Sequence, residues 1–331
     1  MIKLEQVSKK FRSHVAVDNL SFELESGQIT GFLGPNGAGK TTTMRMITGY
    51  LKPDSGRILV DGKTHEQASE AIRSNLGYLP ETTPLYPDMS VIEHIELAAK
   101  VHGLGGAERK KAIGRILSVC GLTAHLKHIV TALSKGYRQR LGLALAMVHD
   151  PGVLILDEPT TGLDPNQIRD IKNLISELGA RKTLLLSTHI LHQAPELCDR
   201  IILINKGSLR FDGTPAEMAE TMPRRNATLT VDQSPEQIIK TLTNIPYIEG
   251  VTHAAEEAGF HTYKLTGEVT HENLAHLTQF ASERSWRVAA CAGEPNNLDE
   301  VFAAMTREAL PTREALPTRE TESTQKEVAS S

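Results

Sequence analysis

The strongest constraint on the fold is a set of short aliphatic runs that recur along the N-terminal part of the chain. Each run has the length of a strand and ends in a polar residue or glycine; the runs are QITGFLG, GRILVDG, GVLILDE, KTLLLSTH and DRIILINKG. Runs of this kind are typical of strands buried on both faces, which implies a parallel sheet covered by helices. We therefore predict an α/β domain with a mainly parallel sheet over residues 1–220.

Two further regions differ from this pattern. A more polar, helical stretch at about 88–150 interrupts the strands and predicts an inserted helical subdomain. Residues 221–305 follow the order β-α-β-β-α-β, which predicts a small ferredoxin-like α+β domain. This domain has no catalytic motif, and we expect the first domain to fold without it. Residues 306–331 contain the hexad TREALP twice and predict a disordered repeat tail.

Composition restricts the partners. The formal net charge is −4, and because phosphate binding needs a basic surface, we expect no nucleic-acid partner. The N-terminal residues lack the apolar core of a signal peptide. No apolar run approaches the ~18 residues that a membrane-spanning helix needs. If the protein works at a membrane, we expect the spanning part to be another chain.

A glycine-rich motif indicates phosphate binding. The motif G-x-x-x-x-G-K-[ST] lies between a predicted strand, ITGFL, and a predicted helix. Glycines let backbone N–H groups surround a phosphate, and the helix that follows adds the positive end of its dipole. Lys40 supplies a charge for the β- and γ-phosphates, and the Thr41 hydroxyl is placed to bind Mg²⁺. The predicted nucleotide-binding residues here are Gly34, Pro35, Asn36, Gly37, Ala38, Gly39, Lys40, Thr41 and Thr42.

A second motif supplies two acids. The run VLIL ends in Asp157 and Glu158, and a carboxylate at a strand end beside the glycine-rich loop can hold Mg²⁺. We assign that role to Asp157. Glu158, one residue further on, is the candidate general base or water-orienting residue. The two motifs together predict a P-loop NTPase, but they leave open a kinase, a GTPase or a helicase.

The sequence LSKGYRQR separates these alternatives. It precedes a predicted helix and then the acidic strand, and it resembles the LSGGQ signature of the ATP-binding cassettes in both order and distance. Ser134 and Gly136 are the residues that match at a helix N-terminus, where a hydroxyl and a backbone N–H can bind anionic oxygen. The resemblance implies that they contact the γ-phosphate of the nucleotide bound to the opposite subunit.

The same resemblance assigns further residues. Asp164 follows the acidic strand as the D-loop aspartate does, and His189 ends the next strand as the switch histidine does. Phe11 lies where cassettes place an aromatic residue against adenine, although a plain core residue is the alternative. Glu81 occupies the position of the cassette Q-loop glutamine. A carboxylate there can bind Mg²⁺ but cannot donate a hydrogen bond.

The sequence departs from the usual cassette pattern at Glu81 and in the signature, which reads LSKGY where LSGGQ is usual. Both departures resemble one branch of cassettes, the ABC-2 exporters, which include the gliding-motility ATPases. The segments GYLPE and LDEVF also resemble that branch. The resemblance implies ATP and Mg²⁺ as cofactors and a head-to-tail dimer with a second copy. It also implies permease subunits on separate, membrane-spanning chains and a place on the cytoplasmic face of the membrane. The alternative is a soluble cassette that acts on ribosomes, but such proteins carry two cassettes in one chain.

Overall fold

The computed structural model describes residues 1–188 and 194–306. The strands are β1 Ile2–Phe11, β2 His14–Leu24, β3 Ile29–Leu33, β4 Ser55–Val60, β5 Leu76–Leu79, β6 Val153–Leu156, β7 Thr183–Thr188, β8 Arg200–Asn205, β9 Ser208–Gly213, β10 Arg224–Val231, β11 Ile248–Glu257, β12 Phe260–Val269 and β13 Val288–Gly293. The helices are α1 Lys40–Ile47, α2 His65–Asn75, α3 Val91–Val101, α4 Gly106–Val119, α5 Lys135–Met147, α6 Pro165–Gly179, α7 Ala194–Leu197, α8 Pro215–Glu220, α9 Pro235–Thr243, α10 His271–Glu283 and α11 Leu298–Thr306. Among these helices, none is both long enough and apolar enough to span a membrane.

The central sheet has the strand order β5-β6-β7-β3-β8-β9. All neighbours are parallel except the last pair, in which β9 runs antiparallel to β8. The predicted, mainly parallel sheet is therefore confirmed. The carboxyl ends of β3, β6 and β7 lie at one edge of the sheet, where ligands bind in open α/β folds.

Both faces of the central sheet are buried, and alternate residues of a strand enter different cores. In β6, Leu154 and Leu156 belong to a core shared with helices α3 to α6. Val153 and Ile155 belong to a second core, which includes β1, β2 and helix α1. A strand with core on both sides needs apolar residues at every position, which explains the continuous run VLIL.

The run GRILVDG was expected in the parallel sheet, and that expectation is wrong. Its strand, β4, belongs to an antiparallel sheet with the order β2-β1-β4. Ile58 and Val60 are buried while Arg57 is exposed, so the strand is covered on one face only. The polar residues at its start are the sequence signal for this half-buried position.

Helices α3, α4 and α5 lie between β5 and β6, within the helical segment expected at about 88–150. Helix α3 begins with a capping box, in which the Ser90 hydroxyl accepts from the Glu93 N–H and the Glu93 carboxylate accepts from the Ser90 N–H. Because this arrangement satisfies two otherwise unpaired backbone donors, it fixes where the insertion starts.

The C-terminal strands form a separate antiparallel sheet with the order β11-β12-β10-β13. Helices α9 and α10 cover one face of it around the fully buried Tyr263. The connectivity β10-α9-β11-β12-α10-β13 is the predicted β-α-β-β-α-β order of a ferredoxin-like unit.

Helix α11 leaves this sheet and packs against the first domain. Leu298 and Val301 belong to the core of helices α3 to α6 rather than to the core around Tyr263. At its end, the Asn205 side chain donates to the Thr306 carbonyl over 3.1 Å. This packing argues against the expectation that the first domain folds without residues 221–305.

The start and the end of the C-terminal sheet region are joined to each other. The Asn296 side-chain amide donates to the Ala219 carbonyl over 3.0 Å and to the Met222 carbonyl over 2.8 Å. The segment that leaves helix α8 therefore lies beside the segment that enters helix α11. From residue 307 onward, the predicted disordered tail lies outside the part of the chain that the structure describes.

Candidate active site

The glycine-rich loop joins β3 to α1, and its glycines are required by the local geometry. Gly39 caps α1 with a φ of 106°, a value that residues with a side chain rarely adopt. A Cβ there would collide with the Ala16 carbonyl. A Cβ on Gly34 would lie 2.5 Å from the Ile204 carbonyl oxygen. The loop therefore fits only as glycine at these positions, and it packs closely against the strands on either side.

Lys40 is held inside this loop. Its Nζ donates to the carbonyl oxygens of Gly34 and Pro35, over 2.7 and 3.2 Å. The same atom lies 3.9 Å from a carboxylate oxygen of Glu158. Burial lowers the pKa of Lys40 below its ordinary value, although Glu158, Asp157 and Glu81 favour the charged form. The ammonium group is therefore placed between the loop and the acids, where an entering phosphate chain would meet it.

The two acids at the end of β6 are held by the neighbouring strand. Asp157 is fully buried, and one of its carboxylate oxygens accepts from the Ser187 hydroxyl over 2.6 Å. Its other oxygen, Oδ2, is buried without a hydrogen-bond partner. An unpaired buried carboxylate oxygen is costly, so it marks a place for a cation or another donor.

Glu158 has a strained backbone. Its φ of 51° lies in the left-handed region, which costs a non-glycine residue about 1–3 kcal/mol. Its N–H donates to the Ser187 hydroxyl oxygen over 2.8 Å, and its carboxylate accepts from the Thr161 hydroxyl over 3.0 Å. These bonds turn the side chain away from the strand and toward Lys40.

The loop and the acids enclose a cavity of about 500 Å³. The predicted site residues that line it are Phe11, Asn36, Gly37, Gly39, Lys40, Thr41, Thr42, Glu81 and Glu158. Gly34, Pro35, Ala38 and Asp157 lie in the surrounding loop and strand end without lining it. His189 lies outside the described residues.

Phe11 is not a core residue, since its side chain is 46% exposed at the end of β1 and lines the cavity. The plain-core alternative is therefore wrong. Sequence reasoning missed three other residues of the lining, namely His14, Ala16 and Thr161. His14 pairs directly with Phe11 across the β1–β2 hairpin, and the short spacing between these two aromatic residues was the available signal.

The signature residues lie outside this cavity. Ser134 caps α5, and its hydroxyl accepts from the Tyr137 N–H over 3.4 Å. Asp164 caps α6 in the same way, accepting from the Gln167 N–H over 3.0 Å. In the described part of the chain neither residue, nor Gly136, lines the cavity. A single copy therefore does not bring the signature and the phosphate loop to one site.

Gly136 is buried against helix α6. A Cβ at this position would lie 2.6 Å from the Gln167 side chain. Lys135 lies beside Gly162 in the segment before α6, where a Cβ on that glycine would meet the ammonium group. The signature thus packs on the segment before α6 through Lys135 and on α6 itself through Gly136, and a side chain at Gly136 would displace Gln167.

The fold and the cavity define the class, a P-loop NTPase with its phosphate loop between a strand and a helix. A family model described as ABC transporter matches residues 17–161. The Nod factor export ATP-binding protein I of Cupriavidus metallidurans is 40% identical over 223 residues, 67% of this chain and 73% of that protein. The bacitracin transport ATP-binding protein BcrA of Bacillus licheniformis is 38% identical over 211 residues, 63% of this chain and 68% of that protein.

Solved structures agree with this family. An ATP-binding cassette in a dimeric post-hydrolysis state, bound to ADP and Pi, is 26% identical with a TM-score of 0.60 and covers 65% of this chain and 98% of that one. The chain belongs to the family of ABC transporter ATP-binding proteins. It is accordingly an ATP-binding protein with ATPase activity.

Proposed function

We propose that the chain is the ATP-hydrolysing subunit of an exporter and drives transport through permease subunits on separate, membrane-spanning chains. It acts on the cytoplasmic face of the membrane, as a head-to-tail dimer. The observation that supports ATP hydrolysis is the cavity, because it joins the phosphate loop, Lys40 and Glu158 in one space. The names of the relatives, which are those of export and transport proteins, support the role in export.

Mg²⁺ fits the residues present. Asp157 Oδ2 is buried and lacks a hydrogen-bond partner, and Thr41 lines the neighbouring cavity. The described residues contain no group of three or more His, Cys, Asp or Glu side chains that could hold a metal ion. Mg²⁺ at nucleotide sites is commonly bound by one or two protein oxygen ligands together with phosphate oxygens and water. When bound, Mg²⁺ would neutralise phosphate charge; Asp157 and Thr41 would hold it, with Glu81 as a further acceptor.

The chain's own residues have separate roles in binding and hydrolysis. Lys40 exchanges its loop carbonyls for phosphate oxygens and so offsets their charge during binding. Glu158, fixed by Thr161 and Ser187, orients the attacking water and accepts its proton. Phe11 stacks on the adenine at the open end of the cavity. His189 is the proposed hydrogen-bond donor to the γ-phosphate.

A second copy completes each site. Ser134, Gly136 and Asp164 lie at helix starts outside the cavity of their own chain, and the N-termini of α5 and α6 are suited to anionic oxygen. The related cassette bound to ADP and Pi is dimeric, which supports a pair of copies. The signature of one copy therefore faces the phosphate loop of the other.

A membrane partner has a candidate surface in the helical insertion. Tyr86, Leu97 and Val101 are 60%, 42% and 76% exposed, and Leu97 and Val101 are four residues apart on helix α3, which places them on one face. They lie in the segment that follows Glu81 and so connect the cavity edge with helix α3. The ribosomal alternative has no such observation in its favour, and the relatives described above are named for transport.

The test is fractionation of a tagged full-length chain from its own cells. We expect the protein to sediment with membranes, to co-purify with a multi-span protein after solubilisation, and to hydrolyse ATP only with Mg²⁺ present. Lys40→Ala should retain the partner and lose the hydrolysis. Sedimentation with ribosomes, without a membrane partner, would reject the transport proposal.

A further inference from the structure

The Ser187 hydroxyl joins the two acids of the active site. Ser187 lies in β7, next to the acidic strand β6, and is fully buried. The hydroxyl donates to Asp157 Oδ1 over 2.6 Å and accepts from the Glu158 N–H over 2.8 Å. A single oxygen atom therefore fixes both the carboxylate of one acid and the backbone of the next.

The first contact selects which Asp157 oxygen remains available. Oδ1 is already used by Ser187, while Oδ2 is buried and has no hydrogen-bond partner. The Asp157 N–H donates to the Leu79 carbonyl over 2.8 Å, so the backbone at this position is also fixed. With Oδ1 occupied, the carboxylate presents one defined oxygen to a cation.

The second contact holds the geometry of Glu158. A positive φ at a non-glycine residue persists only where the surroundings enforce it. The Glu158 N–H lies just where the strand ends, and Ser187 accepts its hydrogen bond in the strained conformation. The hydroxyl thus determines the direction in which the Glu158 side chain leaves the strand.

We propose that Ser187 is a positioning residue for ATP hydrolysis, which fixes the Asp157 oxygen for Mg²⁺ and the backbone that directs Glu158. This inference rests on the proposed function. Partners that orient a metal ligand commonly change metal affinity or activity about 10–100-fold when removed. Ser187 is not among the residues that line the cavity, so its effect is transmitted through the two acids.

The chain offers a matched control in the adjacent strand β3. Thr30 is also fully buried, but its hydroxyl has no hydrogen-bond partner. Thr30→Val therefore removes a buried hydroxyl from the same sheet at nearly constant volume without touching either acid. A loss caused only by altered packing of the sheet would appear in this variant as well.

The experiment compares Ser187→Ala, Ser187→Cys and Thr30→Val in the full chain. A fluorescent ATP analogue reports binding in EDTA and across a Mg²⁺ titration, thermal melts report folding, and phosphate release reports turnover. For Ser187→Ala and Ser187→Cys we expect unchanged binding in EDTA. The Mg²⁺ concentration for half-maximal effect should rise about tenfold and kcat should fall about 10–100-fold. Thr30→Val should match the wild type in all three.

Two results would overturn the proposal. One is a folded Ser187→Ala or Ser187→Cys protein with the wild-type Mg²⁺ response and turnover. The other is an equal loss in Thr30→Val, which would reduce Ser187 to a packing residue. Ser187→Cys keeps the size of the side chain, so the comparison survives if Ser187→Ala fails to fold. A wild-type protein without Mg²⁺-dependent ATP hydrolysis would instead reject the proposed function itself.

Discussion

Lys40 and Glu158 lie 3.9 Å apart, and in the mechanism proposed above they act at different stages of the reaction. In that proposal Lys40 meets the phosphates in the ground state, whereas Glu158 acts on the attacking water. Interactions made only in the transition state change turnover rather than binding.

Substitutions of these two residues should therefore separate binding from hydrolysis. We expect Lys40→Ala to lose ATP binding, and Glu158→Gln to bind ATP but hydrolyse it about 10²–10⁴-fold more slowly. Equilibrium binding and single-turnover hydrolysis measure the two effects. Wild-type turnover in Glu158→Gln would show that another group serves as the base.

Glu81 is an acceptor at the rim of the cavity, exposed and near enough to favour the charged form of Lys40. Glu81→Gln keeps an oxygen acceptor and should retain much of the activity, whereas Glu81→Ala should lose more. Mg²⁺ titrations of hydrolysis for the three proteins provide the comparison. Three superimposable curves would make Glu81 a bystander.

Among the site residues, sequence analysis predicted those that belong to local motifs and missed those whose position depends on strand register. Lys40, Asp157 and Glu158 follow from local patterns of glycine, charge and strand ends. Ser187 contacts the acids only because β7 lies beside β6 in one register. A single serine in an apolar run gives no local sign of that neighbour.

Among the elements, strands with a continuous apolar run were predicted correctly, and β4 shows the limit of that rule. A short apolar run is found both in a central parallel strand and in a half-covered antiparallel one. Only the pairing of β4 with β1 decides between them, and that pairing depends on distant parts of the chain.

Helix α11 is the element whose packing the sequence analysis did not foresee. Leu298 is 7% exposed in the core of the first domain, so Leu298→Ala should lower the free energy of unfolding by about 2–5 kcal/mol. Glu300→Ala, at an exposed position of the same helix, is the control and should change the free energy of unfolding little. Chemical denaturation of the full chain measures both. Equal, small effects would mean that α11 contributes little to this core.

The end of α5 and the end of α3 meet at two stacked histidines. The rings of His149 and His102 lie 3.6 Å apart, and His149 Nε2 lies 3.1 Å from the Leu76 carbonyl oxygen of β5. Burial, the adjacent His102 and Lys182 lower the pKa of His149 from 6.5 to about 4, although the Leu76 carbonyl and Asp150 oppose the change. The helical insertion is thus fixed to the sheet through neutral imidazole.

Because the folded pKa of His149 is depressed, its contribution to stability is complete above pH 6.5 and is lost as the pH falls toward 4. We expect the melting temperature to decrease over that interval. His149→Gln keeps a donor for the Leu76 carbonyl but cannot titrate, so its melting temperature should fall less steeply. Parallel pH profiles for the two proteins would exclude His149 as the cause.

For the whole molecule, the decisive prediction is that each ATP lies between two copies. Gly136→Asp is a poor probe, since its Cβ would displace Gln167. Ser134→Asp is better, because aspartate can still cap α5 while its charge repels a phosphate. Ser134→Asn caps without the charge and is the matched control.

Lys40→Ala and Ser134→Asp homodimers should each fail to occlude ATP. In the mixed dimer one site combines both defects, while the other has an intact phosphate loop and an intact signature. We therefore expect mixing to restore occlusion of one nucleotide per dimer, measured with radiolabelled ATP. Mixed dimers that form and still occlude no ATP would contradict the shared site.

The bonds from Asn296 to Ala219 and Met222 place the two ends of the C-terminal sheet region side by side. In topology this region is an internal insertion, even though it lies near the end of the chain, because α11 follows it and returns to the first domain. Insertions with adjacent ends can be exchanged without moving the flanking chain. A related cassette can thus gain, lose or replace the sheet as one module while keeping helix α11 in place.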